Sequence, residues 1–152
     1  MSVVVVTRTV MARPKHLAPF AWQSLRVGFQ ARRSPGYVAG AMRISRGWVF
    51  WTLTVWRDGR AMADFRNSGV HGQVMPRLAG WASEGAFAAW RIPDEHLPSW
   101  AQAQDELHRH PSFTALDAPG VAHRAGVVRE PVAVGLSVRV PGPHVTRRPP
   151  PR

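Results

Sequence analysis

The chain has 152 residues, with 20 basic and 9 acidic side chains and no cysteine. This length fits one domain whose core is large enough to fold without covalent cross-links. The lack of cysteine excludes disulfides, thiolate catalysis and zinc or iron–sulfur centres held by cysteine. No apolar run is as long as a membrane span, and no basic segment precedes the short apolar run at the start. We therefore expect a cytoplasmic protein without a membrane partner.

The net charge of +11 is spread unevenly along the sequence. Residues 1–60 hold 10 basic side chains and a single acid, Asp58, whereas residues 61–110 are slightly acidic and the tail is basic again. Clustered cations gain affinity for phosphate backbones, so nucleic-acid binding is one interpretation. A solvated basic face is the other, and it is the one we expect.

Strand and helix signals alternate in the first part of the chain. The β-branched residues at 3–11 predict a strand. Helical spacing of larger side chains predicts a helix over 19–31, which begins at Pro19. A second strand at 37–44 reverses through a short turn into a third strand at 48–56, so these two strands form a predicted hairpin.

A broken helix and a fourth strand follow. Gly69 and Pro76 disfavour one continuous helix, so the sequence predicts helices at 59–67 and 70–82. A strand at 85–92 completes a β-α-β-β-α-β unit.

Prolines divide the remainder into short pieces, with a helix at 100–109 and a strand at 131–140 as the predicted elements. The predicted division is an α+β domain at 1–93, a C-terminal extension at 94–140 and a flexible, basic, proline-rich tail at 141–152.

Alternation along the third strand separates two sets of side chains. One set is Val49, Trp51, Leu53 and Val55. The other is Trp48, Phe50, Thr52, Thr54 and Trp56. The first set is apolar, so we expect it to pack against the two helices. The second set mixes hydroxyl groups with large rings, so we expect it to form a wall that meets a ligand or a partner sheet.

Several short motifs between residues 51 and 81 resemble those of a known group of proteins. They are Trp51-Thr-Leu-Thr-Val-Trp56, Ala61-Met62, Phe65, Ser68-Gly69, His71, Met75-Pro76 and Trp81. The pattern over roughly residues 3–92 resembles a bacterial family of small proteins related to spheroidene monooxygenase. That family lies in the dimeric α+β barrel superfamily, which includes antibiotic-biosynthesis monooxygenases.

The resemblance implies a ferredoxin-like protomer that forms a homodimer through its sheet and holds a pocket between sheet and helices. Superfamily members include cofactor-independent oxygenases, haem-binding oxygenases and non-oxidative cyclases, so the fold transfers better than the reaction. We therefore expect an oxygenase that acts on a small hydrophobic, aromatic or polyenic molecule in specialised metabolism. A non-oxidative cyclase or a binding protein of the same fold is the alternative.

His71 is the candidate catalytic residue, because imidazole ligates iron and exchanges protons near neutral pH. The resemblance leaves open haem b, bound through His71, or no cofactor. Arg26 and Arg43 are candidates to hold haem propionates. The alternative for His71 is a structural role, in which it satisfies backbone groups at the start of a helix.

Other residues could line the substrate pocket. They are Trp48, Phe50, Thr52, Thr54, Trp56, Met62, Asn67, Met75 and Trp81. Trp56 and Trp81 could equally be core residues, and Asn67 could cap the following helix. His108 and His110 stand near Glu106, but a spacing of two places them on different sides of a helix and makes a metal cluster a weak interpretation.

An RNA-binding module is the remaining alternative. Arg46-Gly47 followed by alternating aromatics partly resembles the RNA-recognition signature, in which Trp48 and Phe50 would stack on bases. The first strand offers no aromatic residue for a second stacking platform. We therefore expect a small-molecule pocket rather than a nucleic-acid partner.

Overall fold

The computed structural model describes residues 1–129 and 136–142. The strands are β1 (Ser2–Met11), β2 (Tyr37–Ser45), β3 (Val49–Trp56), β4 (Ala82–Ile92), β5 (Ser112–Phe113) and β6 (Ser137–Pro141). The helices are α1 (Leu17–Arg33), α2 (Gly59–Asn67), α3 (Gly69–Trp81), α4 (Trp100–Arg109) and α5 (Val121–Arg124), with a short 3-10 turn at Pro14–His16. The predicted tail beyond residue 142 and the first half of the predicted strand at 131–140 lie outside the described residues.

The strands form one antiparallel sheet in the order β5-β4-β1-β3-β2-β6. Its four central strands, with α1 to α3 on one face, make the ferredoxin-like β-α-β-β-α-β arrangement, so the predicted fold class is confirmed. Among the described residues, no helix combines the length and the apolar character needed to cross a bilayer.

Helices α1 to α3 cover the face of β3 that carries Phe50, Thr52, Thr54 and Trp56. Phe50 packs with Phe20 of α1 and belongs to the hydrophobic cluster that contains Met75 and Leu78 of α3. This finding corrects the expectation that Trp51 and its apolar neighbours on β3 would meet these helices. Alternation along a strand shows which side chains share a face, but it does not show which layer covers that face.

The opposite face of the sheet is covered by α4. Trp51 and Leu53 are each 1% exposed and belong to a core cluster with Ala103 and Leu107 of α4, both of which are fully buried. The N-terminus of α4 is secured by a capping box between Ser99 and Gln102. Helix α4 lies in the predicted extension and is an integral part of the hydrophobic core.

Trp48 differs from the predicted third strand. It lies in the turn before β3, at a positive φ of 59°, and is 40% exposed. The adjacent Gly47 also has a positive φ, of 79°. Two successive positive φ values are typical of the tight turns that join antiparallel strands, so Trp48 belongs to the turn and not to the wall of the sheet.

Candidate functional site

A partly accessible strip of hydroxyl groups crosses the helix-covered face of the sheet. We call Thr7, Thr52 and Thr54 the threonine strip. Thr7 and Thr52 are direct partners across β1 and β3, and their Oγ1 atoms lie 2.6 Å apart. All three residues are half-buried, whereas Leu53 and Val55 on the other face are sealed. The helices therefore leave the middle of this face partly accessible.

Aromatic clusters bound the threonine strip at its two ends. At one end Phe50 meets Phe20 edge to face, with ring centroids 4.6 Å apart. At the other end Trp56 stacks on Phe65 at 4.7 Å, and Nε1 of Trp56 donates to Oγ1 of Thr54 at 3.0 Å. These contacts give the strip apolar ends and a polar floor, which is typical of sites for small, mostly apolar ligands.

His71 lies in the first turn of α3, on the side of the helix that faces the sheet. It stands at helical spacing from Val74, Met75 and Leu78, and its ring contacts Phe65 at a centroid distance of 4.8 Å. Since Phe65 also stacks on Trp56, the imidazole extends the aromatic cluster at that end of the threonine strip. The side chain is half-buried.

The hydrogen bonds of His71 determine which ring nitrogen carries the proton. Nδ1 lies 2.9 Å from the carbonyl oxygen of Arg66. Because a carbonyl only accepts, Nδ1 must donate, and the lone pair is left on Nε2. Burial lowers the pKa of His71, and the carbonyl of Arg66 offsets this only in part. The ring is therefore neutral near pH 7, with Nε2 able to accept a proton or ligate a metal.

The position of α3 depends on a residue that the sequence did not indicate. Oε1 of Gln30 accepts from the backbone N–H of His71 at 2.8 Å, and Nε2 of Gln30 donates to the carbonyl of Ser68 at 2.9 Å. A Cβ at Gly69 would lie 2.9 Å from Cδ of Gln30, so glycine leaves room for this amide. The capping role considered for Asn67 is performed by Gln30, and the side chain of Ser68, which precedes α3, makes no cap bond.

The predicted pocket residues fall into separate groups. Thr52 and Thr54 lie in the threonine strip, while Phe50, Met75 and Trp81 share one aromatic cluster. Trp56 and Met62 share the other, and Trp56 is a core residue with 1% exposure. Asn67 is exposed at the end of α2, and Trp48 is in the turn before β3. The structure thus brings together seven of the nine residues around one face and leaves two outside.

Of the two arginines named for haem, Arg43 lies on the opposite face of the sheet from His71. Arg43 pairs with Trp51 in the sheet register and shares its face, which is covered by α4. Arg26 is exposed on α1, where its Nη1 donates to Oε1 of Gln23 at 3.1 Å. A haem on His71 could not reach Arg43 through the sheet. The tautomer of His71 suits iron ligation, and of the two arginines only Arg26, which lines a cleft with Gln30 and Val70, lies on the same side of the sheet.

The structure supports neither a metal cluster at His108 and His110 nor an RNA-binding surface at Trp48 and Phe50. In the described part of the chain, no group of three histidine or acidic side chains is placed to hold a metal ion. Phe50, one of the two proposed base-stacking rings, is covered by Phe20 of α1. A base could reach that ring only if α1 moved.

Comparison with solved structures shows that several other proteins share this fold. Rv0793 from Mycobacterium tuberculosis is 18% identical, with a TM-score of 0.56, and the match covers 62% of this chain and 98% of that one. SnoaB from Streptomyces nogalater, a cofactor-independent oxygenase, is 18% identical, with a TM-score of 0.52 and coverage of 64% and 98%. A putative antibiotic biosynthesis monooxygenase from Nitrosomonas europaea is 13% identical, with a TM-score of 0.55 and coverage of 60% and 90%.

At these identities the likeness shows the fold alone, and no curated protein matches the sequence. A family model matches residues 3–125, which include the ferredoxin-like strands and helices as well as α4 and α5. The chain belongs to the family described as domain of unknown function DUF3291.

Proposed function

We propose that this protein is a monooxygenase-like enzyme that acts on a small, electron-rich aromatic molecule over the threonine strip. The observation that carries the proposal is the neutral imidazole of His71, with Nδ1 held by the Arg66 carbonyl and Nε2 free to accept a proton. The fold it shares with SnoaB, described as a cofactor-independent oxygenase, supports the same chemistry.

In the proposed reaction His71 is the general base. Nε2 removes the proton of a phenol, and the phenolate is electron-rich enough to reduce dioxygen. One oxygen atom bonds to a ring carbon and the other leaves as water, so that a phenol and O₂ give a quinone and H₂O. The substrate supplies all four electrons, and no external reductant is required.

The protein has two roles besides proton removal. The aromatic clusters at the two ends of the threonine strip would confine a flat molecule to the space between them. The hydroxyl groups of Thr52 and Thr54 are positioned to donate to, or accept from, the oxygen substituents of the substrate. Partial burial of His71 keeps its base form available near neutral pH.

We propose the cofactor-free route over the haem route. His71 presents a suitable nitrogen, but Arg43, one of the two arginines considered for the propionates, lies on the opposite face of the sheet. Haem b would require another group besides Arg26 to hold its propionates. An absorption spectrum of the purified protein tests this choice, since a Soret band that disappears in His71→Ala would establish haem instead.

A homodimer, which the resemblance implies, remains part of the proposal. Helix α4 covers the face of Trp51 and Leu53, so a second copy would pack against α4 rather than against the bare sheet. Light scattering coupled to gel filtration tests this part, and a monomer at micromolar concentration would remove it.

Oxygen uptake tests the proposed activity. Purified, colourless protein should consume dioxygen when supplied with electron-rich phenols, at a rate proportional to protein concentration. Binding of such phenols without uptake would support the alternative of a cyclase or binding protein. Absence of both would contradict a small-molecule site over the threonine strip.

A further inference from the structure

A layer of buried cationic and aromatic side chains lies on the sheet face beneath α4. Arg43, Trp51 and Arg8 are direct neighbours across β2, β3 and β1. Cζ of Arg43 is 5.1 Å from the Trp51 ring centroid and 4.8 Å from that of Trp100 at the start of α4. Arg8 lies over the other side of this group, 5.8 Å from the Trp51 ring. Two guanidinium groups thus share one indole in a layer that α4 covers.

The charges in this layer do not balance. Arg43 and Arg8 are 4% and 3% exposed, and Glu84 is the one buried acid among the described residues. Glu84 accepts from Nη1 of Arg8 at 2.7 Å and is also bound by Arg129. Burial would raise the pKa of Glu84, but these two arginines outweigh it and hold the pKa below its usual value. Arg43 has no acidic partner in the described part of the chain.

The layer also holds polar atoms that lack partners. Nε and Nη2, which lie along one edge of the Arg43 guanidinium, are both buried and make no hydrogen bond. The same holds for Nε1 of Trp51 and Oγ of Ser45, which is two residues along β2 from Arg43 on the same face. Buried donors without acceptors each cost free energy, and a buried charge without a counter-charge costs more.

From this arrangement we propose that the layer is a binding site for a small oxyanion, a carboxylate or a phosphate, held by the Nε–Nη2 edge of Arg43. Two parallel N–H groups match two oxygens of such a group, which is the strongest geometry that arginine offers. Trp51 and Ser45 supply further donors from the adjoining positions. The rings of Trp51 and Trp100 hold the guanidinium plane in place before the anion arrives.

The positive charge of this layer favours an anion over other occupants. A metal cation would add to an existing positive excess. A water molecule would satisfy N–H groups but leave the charge of Arg43 uncompensated. Only an anion would both accept hydrogen bonds from these N–H groups and compensate the charge of Arg43. This site is separate from the proposed oxygenase site, because Arg43 and His71 lie on opposite faces of the sheet, and its failure would leave that function untouched.

The test measures the melting temperature of the full chain against inorganic phosphate and, separately, acetate, with chloride added to hold ionic strength constant. Binding to the native state should raise Tm in proportion to the logarithm of the anion concentration above Kd, by about 5–10 °C at a hundredfold excess. Comparison of the responses to phosphate and to acetate shows whether the site prefers a phosphate or a carboxylate. Arg43→Met should abolish the rise, and the matched control Arg46→Met, which alters an exposed arginine in the nearby turn, should retain it.

A second variant covers the case in which Arg43→Met fails to fold. Trp51→Phe keeps a ring beside Arg43 but removes the Nε1 donor, and it should weaken the apparent affinity several-fold without removing the effect. The proposal is overturned if neither anion raises Tm more than chloride does. It is equally overturned if Arg43→Met and the unmodified protein respond alike.

Discussion

Gln30 of α1 binds His71 of α3 across 41 positions of the sequence, with the His71 backbone N–H donating to Oε1 at 2.8 Å. The amide nitrogen of Gln30 donates to the carbonyls of Ser68 and Phe65 at 2.9 and 3.3 Å. One side chain therefore joins the end of α2 to the start of α3. This amide therefore helps to place the candidate base.

Replacement of Gln30 by alanine should lower the free energy of unfolding by about 1–3 kcal/mol, because a backbone N–H and two carbonyls lose their partner together. Urea denaturation measures the change. The matched control is Gln73→Ala, which alters an exposed glutamine on α3. Amide exchange at His71 should also accelerate in Gln30→Ala. Equal stability of the two variants would show that Gln30 does not hold α3.

The titration of His71 should appear in the pH dependence of stability. Since burial depresses its folded pKa below 6.5, the unfolded chain takes up the proton first as pH falls. Its contribution is therefore complete above pH 6.5, declines as pH falls towards the folded pKa, and is constant below it. Urea denaturation between pH 4 and pH 8 should show this component in the protein and in His110→Gln, but not in His71→Gln. An unchanged slope in His71→Gln would refute a buried neutral imidazole.

Glu84 should be a large contributor to stability. Glu84→Gln would leave Arg8 buried without a counter-charge, at a cost of about 3–5 kcal/mol. Because the folded pKa of Glu84 is depressed below 4.5, its contribution is present above that pH and is lost as pH falls through the folded pKa. Denaturation at pH 7 compares this variant with the exposed control Glu95→Gln. A cost below about 1 kcal/mol would mean that the Arg8–Glu84 pair is not sealed from water.

Leu107 tests whether α4 belongs to the core. It is fully buried beneath the sheet, so Leu107→Ala should cost about 2–5 kcal/mol through lost burial and the cavity it leaves. Leu25→Ala, at a position 55% exposed on α1, should change stability little. If the two variants were equally stable in urea, α4 would be a loosely attached extension rather than a second layer of the core.

The sequence was sufficient for the main strands and helices up to α4, but it predicted neither β5 nor α5 and placed Trp48 in a strand. It also did not show which layer covers each face of the sheet. Val49, Trp51, Leu53 and Val55 are buried together as alternation predicts, yet their cover is α4. Apolar side chains at period two fit a helix pair or a single later helix equally well. Which helix covers this face depends on where α4 folds back onto the sheet, and no local sequence pattern predicts that.

The rest of the candidate site could not be predicted because it depends on contacts between residues that are far apart in the sequence. The inward position of His71 on α3 follows from helical spacing with Val74 and Leu78. Its cap from Gln30 does not, since a glutamine within a helix has no local signature of a distant contact. The separation of Arg43 from His71 could have been anticipated from strand parity, because Arg43 pairs with Trp51 and not with Thr52 in the hairpin.

The most direct test of the central claim is mass spectrometry of the product formed from an electron-rich phenol under ¹⁸O₂. The account predicts a quinone that carries one labelled oxygen, formed by haem-free protein, at a rate reduced by about 10²–10⁴ in His71→Gln and unchanged in His110→Gln. Label incorporation that continues undiminished in His71→Gln, or that does not exceed the protein-free reaction, would contradict it.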